Sequence, residues 1–281
     1  MSTPQPVLDH HCHLDPDAGL GLDAVDRFAA AGGTHLLIIN KPSWHLGPLP
    51  TDAAAFEAVF ARTIDIVDAA AERLPGTAWG CLGVHPACIT QLVDRGGRTP
   101  EAAAALMCAG LDRAVAHVGA DRIIGIKSGR PHYDVSAAVW DASNAVLEHA
   151  LSLAAAADCP IQLHTETADA LPDIAAAAAR VGLDPARVVK HFAGGGFDGA
   201  ITPSVISRRD ELERACERGL RFFMETDFID DPDRPGAVLG LRTVPRRVRS
   251  LRAAGHAEAM HTAHVTLPAA VYGIDTVATL S

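Results

Sequence analysis

The feature that most constrains the fold is a regular alternation of short apolar segments with longer amphipathic, alanine-rich segments. Eight short segments rich in β-branched and other apolar residues predict strands, at 7–13, 34–40, 78–84, 122–127, 160–164, 187–191, 200–205 and 221–226. Amphipathic stretches at 22–33, 52–73 and 137–157 predict helices between strands, and glycines mark several helix ends. Strands that alternate with helices indicate βαβ units and therefore a parallel sheet.

Eight such units fit a single α/β domain with a (β/α)8 TIM-type barrel, a fold that typically takes ~250 residues. The alternative is an open doubly wound sheet, but no glycine-rich fingerprint follows the first strand, which weakens its dinucleotide-binding version. No linker, low-complexity tail or internal repeat divides the sequence. We therefore predict one barrel domain over 1–281, which ends in a helix and a closing segment within 244–281.

Composition narrows the classes of partner. A net charge of −10 and a pI of about 5.7 give no overall attraction to nucleic acid or anionic membranes. The six cysteines show no paired spacing, which favours a reducing compartment. The N-terminal segment lacks a signal-peptide pattern, and no apolar run approaches the ~18 residues of a membrane span. We expect a cytoplasmic protein without an obligate protein partner, and homo-oligomerisation stays open.

Polar residues recur where the predicted strands end. In a barrel of this type the chemistry takes place at the C-terminal ends of the strands. A single histidine there is more often an ordinary hydrogen-bonded residue than a ligand, but one polar, metal-sized pocket would explain the joint pattern. The residues concerned are His11, His13, Asn40, Lys41, His85, Lys127, His164, Glu166, Lys190, His191, Glu225 and Asp227.

The strongest local motif is the pair His11 and His13 at the end of the first strand. Residues i and i+2 of a strand face the same side, so both imidazoles point into the barrel and the residue between them points outward. His164 and His191 add two imidazoles, and Asp227 adds a carboxylate. This set suits zinc, with manganese, iron and cobalt as alternatives.

The same residues carry a resemblance to a known family. In order and spacing, five segments resemble the TatD-related metal-dependent hydrolases of the amidohydrolase superfamily: LDHHCHLD, LGVHP, IQLHTE, VVKHF and FMETD. The resemblance covers about 7–275, and the HxH start and ETD end together are fairly specific. The segments GRPHY and ETDFIDDPDRPGAVLG are more similar to the archaeal-type branch than to the bacterial deoxyribonucleases.

The resemblance implies a (β/α)8 barrel that holds one or two divalent metal ions. It places the first metal on His11 and His13 and the second on His164 and His191. It also implies that Asp227 is shared between the metals or lies nearby.

Two catalytic roles follow from the resemblance. His85 would face the substrate, and Asp227 would orient the metal-activated water or take a proton from it. A divalent metal lowers the pKa of its bound water from ~15.7 towards ~7, which provides hydroxide at neutral pH.

One position departs from the family pattern. Strand 4 of the family usually reads Gly-Glu-Ile-Gly, and that glutamate bridges the metals, whereas this chain has Lys127 in the corresponding place. In other branches of the superfamily a strand-4 lysine is carboxylated by carbon dioxide and bridges two metals, and this is our leading hypothesis. An ammonium between two dications would suffer like-charge repulsion. Alternatively, Lys127 stays charged and replaces one metal, leaves the site mononuclear, or binds an anionic substrate.

Further residues are candidates for substrate contacts. Lys41 could hold an anionic group or be an inert residue of the cavity lip. Arg130, with His132 in the loop after strand 4, could bind a phosphate or carboxylate, or the loop could be purely structural. Trp44 is a candidate for lining the pocket.

Two glutamates are predicted to support the metal ligands from outside. Glu225 shares the face of Asp227 one layer deeper, where a hydrogen bond to a ligand histidine is plausible. Glu166 is expected near the metals. The acidic, proline-rich segment 230–236 is predicted to form a rigid loop.

The sequence therefore predicts a metal-dependent hydrolase. The first hypothesis is hydrolysis of a phosphoester, either at a nucleic acid end or in a small phosphorylated molecule. The acidic surface argues against extended nucleic acid binding, because phosphate contacts dominate that affinity. The second hypothesis is a lactone, amide or phosphotriester hydrolase with a carboxylated lysine. A non-enzymatic metal-binding protein is the third.

Overall fold

A computed structural model describes residues 5–120, 122–234 and 238–280, and it contains one sheet of nine parallel strands. All eight predicted strands are confirmed, and a short ninth strand follows the eighth. The strands are β1 (Leu8–His13), β2 (His35–Ile39), β3 (Ala78–Gly83), β4 (Ile123–Gly129), β5 (Ile161–His164), β6 (Val188–Ala193), β7 (Thr202–Ile206), β8 (Phe223–Glu225) and β9 (Phe228–Ile229).

Helices separate most consecutive strands and cover the outside of the sheet. Their apolar faces pack on the outward side chains of the strands, as the amphipathic pattern predicts. None of the described helices is both long and apolar enough to cross a bilayer. The helices are α1 (Leu22–Ala30), α2 (Ser43–Leu46), α3 (Ala54–Ala71), α4 (Cys88–Asp94), α5 (Pro100–Ala116), α6 (Ala137–Ala156), α7 (Pro172–Arg180), α8 (Arg209–Glu217), α9 (Thr243–Ala253) and α10 (Ala257–His261), with a 3₁₀ turn at Pro185–Arg187.

The two edge strands of the sheet, β8 and β9, come together where the sheet closes. The strand order runs β8-β7-β6-β5-β4-β3-β2-β1-β9, and only two residues of chain separate β8 from β9. The Asp9 carboxylate in β1 holds this junction, because it accepts hydrogen bonds from the backbone N–H of Thr226 at 3.0 Å and from its hydroxyl at 2.6 Å. The sheet thus curls on itself as a TIM-type barrel, as predicted.

The closing segment at the C-terminal end of the chain fills the floor of the barrel. Two π-helical turns, Thr262–Thr266 and Pro268–Tyr272, follow α10. Their apolar side chains pack on inward residues near the starts of the strands, including Leu8 and Phe223. The opposite end of the barrel, where the strands finish, stays available for a site.

A β-bulge in β1 changes which residues face inward. The register with β2 shifts between Asp9 and Cys12. His10 consequently stacks on Phe223 inside the barrel, with ring centroids 3.9 Å apart, while Cys12 packs in the outer layer beneath α1. Strict alternation would have sent His10 and His11 to opposite faces.

Gly83 gives a test of how tightly β3 and β4 must pair. The residue is buried opposite Lys127, and an added Cβ would overlap the Lys127 carbonyl group. We expect Gly83→Ala to lower the free energy of unfolding by ~1–3 kcal/mol or more, because two backbones must separate. Urea unfolding measures this. Gly47→Ala is the matched control, since its added Cβ meets no atom within 4 Å and its φ of 172° suits any residue. Equal stabilities of the two variants would contradict the packing argument.

Candidate metal centre

Three buried imidazoles at the C-terminal mouth of the barrel each have an oxygen acceptor beside Nδ1. His11 Nδ1 lies 2.6 Å from Gln162 Oε1, and His13 Nδ1 lies 2.9 Å from the Ile39 carbonyl oxygen. His191 Nδ1 lies 2.8 Å from Glu225 Oε1. The hydrogen bonds of His11 and His13 favour the tautomer with the proton on Nδ1, which leaves the lone pair on Nε2. An ionised Glu225 favours the same tautomer of His191 by its charge, because this pair is close but is not aligned as a hydrogen bond.

The three Nε2 atoms converge on one carboxylate oxygen. Asp227 Oδ1 lies 3.8 Å from Nε2 of His11, 3.7 Å from that of His13 and 3.8 Å from that of His191. The Nε2 atoms of His11 and His13 are only 3.2 Å apart. Two lone pairs at this separation repel unless a cation or a proton lies between them. A group of imidazole nitrogens and a carboxylate, all within 4.8 Å of one another, fits a divalent metal such as zinc.

The charge states of the isolated side chains agree with a metal site. Burial is the largest cause that moves the pKa of His11, His13 and His191 well below the ordinary value, so all three are neutral ligands at pH 7. Burial raises the pKa of Asp227 to about 7, against the opposing effect of Lys127. A bound cation would favour the ionised carboxylate.

Lys127 extends into the same centre. Its side chain is buried, and Nζ lies 3.4 Å from His11 Nε2. Burial lowers its pKa to about 8, although the charges of Asp227 and Glu225 oppose this shift. Within the described parts of the chain, its ammonium forms no ion pair with a carboxylate. The structure therefore places Lys127 beside the candidate ligands, where the resemblance expects the bridging glutamate.

His164 and His85 stand farther along the wall of the mouth. The His164 ring centroid is 5.4 Å from that of His191 and 4.6 Å from that of His85. His164 Nε2 is hydrogen-bonded to Nδ1 of the exposed His132, at 2.8 Å. Among the described residues, His164 is not part of the tight donor groups, which are His11–His13–Asp227 and His11–His191–Glu225.

These side chains surround a cavity of ≈ 200 Å³. The predicted substrate contacts Lys41, Trp44 and His85 line it, and Trp44 lies edge-on to His85 with ring centroids 5.7 Å apart. The full lining is His13, Lys41, Pro42, Trp44, His45, His85, Lys127, His164, His191, Asp227, Ile229 and Arg234.

Two of the predicted substrate contacts already have anionic partners. Lys41 Nζ lies 2.8 Å from Asp15 Oδ2 and donates to the Asp230 carbonyl oxygen at 2.8 Å. Arg130 donates to Glu166 through Nε and Nη2, and to Asp173 at 2.6 Å. The loop after β4 is thus held by ion pairs, which matches the structural alternative for Arg130.

The two predicted supporting glutamates differ in their placement. Glu225 lies at Nδ1 of His191, as described above. The Glu166 carboxylate binds the Arg130 guanidinium, and among the described residues no imidazole hydrogen-bonds to it, so its place near the metals stays a prediction. Arg130 is buried, and its guanidinium binds this carboxylate through both Nε and Nη2.

Sequence reasoning missed a hydrogen-bonded network below the ligands. Gln162 Nε2 donates to the Tyr272 hydroxyl at 3.1 Å, and that hydroxyl lies 2.8 Å from His10 Nε2. His10 Nδ1 lies 2.9 Å from Ser204 Oγ, and Ser204 opposes the burial that raises the pKa of Glu225. The signals were weak: a third histidine in HHCH, and one of only two tyrosines in the chain.

The polarity of this network is consistent from one end to the other. Because Gln162 donates to the Tyr272 oxygen, the hydroxyl proton is free to bond to His10 Nε2. Burial lowers the pKa of His10 to about 3, so the ring is neutral and its Nδ1–H donates to Ser204. The network thereby connects Gln162, the partner of His11, through Tyr272 and His10 to Ser204, which acts on Glu225 beside His191.

Known proteins are similar to this chain in sequence and in fold. The model of the TatD related DNase family matches residues 8–271. The chain belongs to this family. It is 38% identical over 255 residues to an uncharacterized protein, MJ1127, of Methanocaldococcus jannaschii, which covers 88% of this chain and 87% of the relative. This similarity confirms the predicted archaeal-type branch.

Solved structures give the same fold. A TatD-like protein from Archaeoglobus fulgidus superposes with a TM-score of 0.64 at 16% identity, over 95% of this chain and 100% of that one. A mutant of a phosphotriesterase-like lactonase from Deinococcus radiodurans has a TM-score of 0.56 at 15% identity, over 95% of each chain. At these identities the likeness concerns the barrel and not the activity.

The network predicts a measurable effect on metal affinity. Gln162→Leu removes the acceptor at His11 Nδ1, so that ring can adopt the tautomer without a lone pair on Nε2. We expect the affinity for zinc to fall ~10–100-fold, and Tyr272→Phe to produce a smaller loss. Competition with a chromophoric chelator gives the affinity of each variant.

Tyr133→Phe is the matched control for the tyrosine. Tyr133 is exposed on the loop after β4 and hydrogen-bonds only to Thr90 among the described residues. Folded Gln162→Leu protein that binds zinc as tightly as the wild type would contradict the tautomer argument.

Proposed function

We propose that this chain is a metal-dependent hydrolase that acts on a phosphoester through a metal-activated water. One observation carries the proposal: three Nε2 lone pairs and Asp227 Oδ1 converge at the C-terminal mouth of a barrel. His11, His13 and Asp227 would hold the first divalent ion, for which zinc is the best fit. His191 and His164 would contribute to a second.

The bound metal would supply Lewis acidity, which polarises the substrate and lowers the pKa of a water molecule. Asp227 would accept the proton of the attacking water, since a bound cation would keep its carboxylate ionised and able to act as a base. Burial holds the pKa of His85 well below its ordinary value, so this neutral ring would hydrogen-bond to the substrate. Trp44 would pack against an apolar part of it.

The size and charge of the mouth favour a small substrate. A cavity of ≈ 200 Å³ admits a small phosphorylated molecule or the end of a nucleic acid strand. The net charge of −10 disfavours contacts along a longer polyanion. We also propose a cytoplasmic location, which the six free cysteines support.

A carboxylated Lys127 supports the alternative of a lactone, amide or phosphotriester hydrolase. The neutral amine would attack carbon dioxide, form an N–C bond and release one proton, which leaves a carbamate anion. A buried lysine whose pKa is about 8 supplies neutral amine near physiological pH. The carbamate would then offer two oxygens to metal ions beside His11, where an ammonium would repel them.

Substrate turnover tests the proposed function. Zinc-, manganese- or cobalt-loaded protein should hydrolyse bis-para-nitrophenyl phosphate, and panels of lactones and single-stranded DNA separate the alternatives. Asp227→Asn should lower kcat by ~10²–10⁴-fold, because the proton acceptor is lost. Glu213→Gln, which removes only an exposed partner of Arg209, should leave kcat unchanged. No turnover of any substrate with any metal would refute the enzyme assignment.

Carbon dioxide dependence tests the role of Lys127. Apoprotein reloaded with zinc in bicarbonate-free buffer should recover at most one metal ion per chain and little activity, and added bicarbonate should restore the second ion and the activity. Lys127→Glu, which supplies a permanent carboxylate, should bind metal without bicarbonate, whereas Lys127→Met should not bind a second ion. Metal content per chain and native mass spectrometry report the outcome. Two bound metals on an unmodified lysine would overturn the carbamate hypothesis.

A further inference from the structure

The cavity at the barrel mouth contains one cationic side chain whose charge is not yet accounted for. Three basic residues line it: Lys41, Lys127 and Arg234. The ammonium of Lys41 is neutralised by Asp15, and Lys127 belongs to the metal centre. Arg234 lies in the acidic segment 230–236 after β9, which the sequence predicts to be a rigid loop and of which 235–236 lie outside the described residues.

The guanidinium of Arg234 has no protein partner among the described residues. Its backbone N–H donates to the Asp231 carbonyl oxygen at 3.1 Å, but its side chain forms no hydrogen bond or ion pair there. The acidic neighbours do not neutralise it at close range, since the Asp231 carboxylate accepts the N–H of Asp233 at 3.0 Å instead. Arg234 is therefore an exposed cation that is free to bind another molecule.

The cavity lining places this charge beside the candidate metal ligands. Arg234 lines the same cavity of ≈ 200 Å³ as His191 and Asp227. His45 of α2 lines it as well, and Arg234 contributes to the lowered pKa of His45 after the larger effects of burial and Lys41. The charge of the guanidinium therefore acts within the cavity onto which the metal centre opens.

We propose that Arg234 binds an anionic oxygen group, phosphate or carboxylate, on the part of the substrate that is not hydrolysed. This inference rests on the proposed hydrolase function and narrows its substrate to a small anionic molecule. The planar guanidinium offers a fork of N–H donors that matches both groups, and a charge-assisted pair is stronger than a neutral one. In a chain of net charge −10, an unpaired cation at the cavity selects for such anions.

A pair of esters that differ only in charge tests the proposal. Mono-4-nitrophenyl succinate carries a free carboxylate, and its methyl ester is the neutral counterpart. In Arg234→Gln, the KM for the anionic ester should rise about tenfold or more, with little change in kcat. The KM for the neutral ester should not change. Arg234→Lys, which keeps the charge but loses the fork, should give an intermediate KM for the anionic ester.

Arg242→Gln is the matched control. Arg242 is also an exposed arginine without an ion pair in the described structure, but it lines a separate groove with Arg27, Arg246 and Arg249. Equal effects of Arg234→Gln on both esters, or the same discrimination in Arg242→Gln, would overturn the proposal.

Binding separates a failure of this proposal from a failure of the proposed function. If the wild type hydrolyses neither ester, calorimetry with benzylphosphonate and with succinate still measures anion binding directly. Weaker binding of either anion to Arg234→Gln supports the site and shows which oxygen group it prefers. Unchanged binding of both anions refutes the site, whether or not the protein is a hydrolase.

Discussion

The interaction on which the centre depends is the contact between an oxygen acceptor and Nδ1 in each of three buried imidazoles. Gln162, the Ile39 carbonyl group and Glu225 provide these acceptors from three different strands or strand ends. Hydrogen bonds fix the tautomers of His11 and His13, and the charge of an ionised Glu225 favours the same tautomer of His191, so that together they point the lone pairs at Asp227. Removal of an acceptor leaves the ring in place but frees it to present a proton where a cation should bind. The residues that would touch a metal therefore depend on hydrogen-bond acceptors that lie one layer below them.

Burial favours the uncharged forms of the candidate ligands as long as no cation is bound. The low pKa values of the imidazoles mean that no proton has to leave them before they act as ligands. The raised pKa values of Asp227 and Glu225 mean that the carboxylates resist ionisation in the isolated protein. A bound divalent ion would lower the pKa values of the carboxylates, and it would also favour neutral imidazoles. Acidification would thus compete with metal binding mainly at the carboxylate and at Lys127.

The sequence could predict the barrel and the inward histidines because both follow from local periodicity. The alternation of strands and helices predicted eight strands, and the i, i+2 spacing placed His11 and His13 on one face. The bulge in β1, which brings His10 inward, breaks that periodicity and could not be predicted by it. Ion pairs such as Lys41–Asp15 join residues that are distant in sequence, so a strand-end cation looked available when it was not.

Arg234 is the opposite case, a candidate for substrate binding that the sequence did not indicate. Its loop is acidic and rich in proline, and these features describe the backbone better than they describe one side chain that turns towards the cavity. Lys41 and Arg130, which follow strand ends, are bound by protein carboxylates, whereas Arg234, a loop residue without any motif, has no ion-pair partner among the described residues. Only the three-dimensional structure shows which cations have a carboxylate partner and which have none among the described residues.

The floor of the barrel has a consequence for the order of assembly. Tyr272 belongs to a π-helical turn near the end of the chain, yet it contacts Gln162 and His10 directly beneath the candidate ligands. While a ribosome is still making this segment, Gln162 Nε2 and His10 Nε2 lack the Tyr272 hydroxyl as a hydrogen-bond partner. The centre therefore reaches its final hydrogen-bonded form only after the last turns have docked. Capture of a metal ion in the cell would then report that synthesis of the barrel is complete.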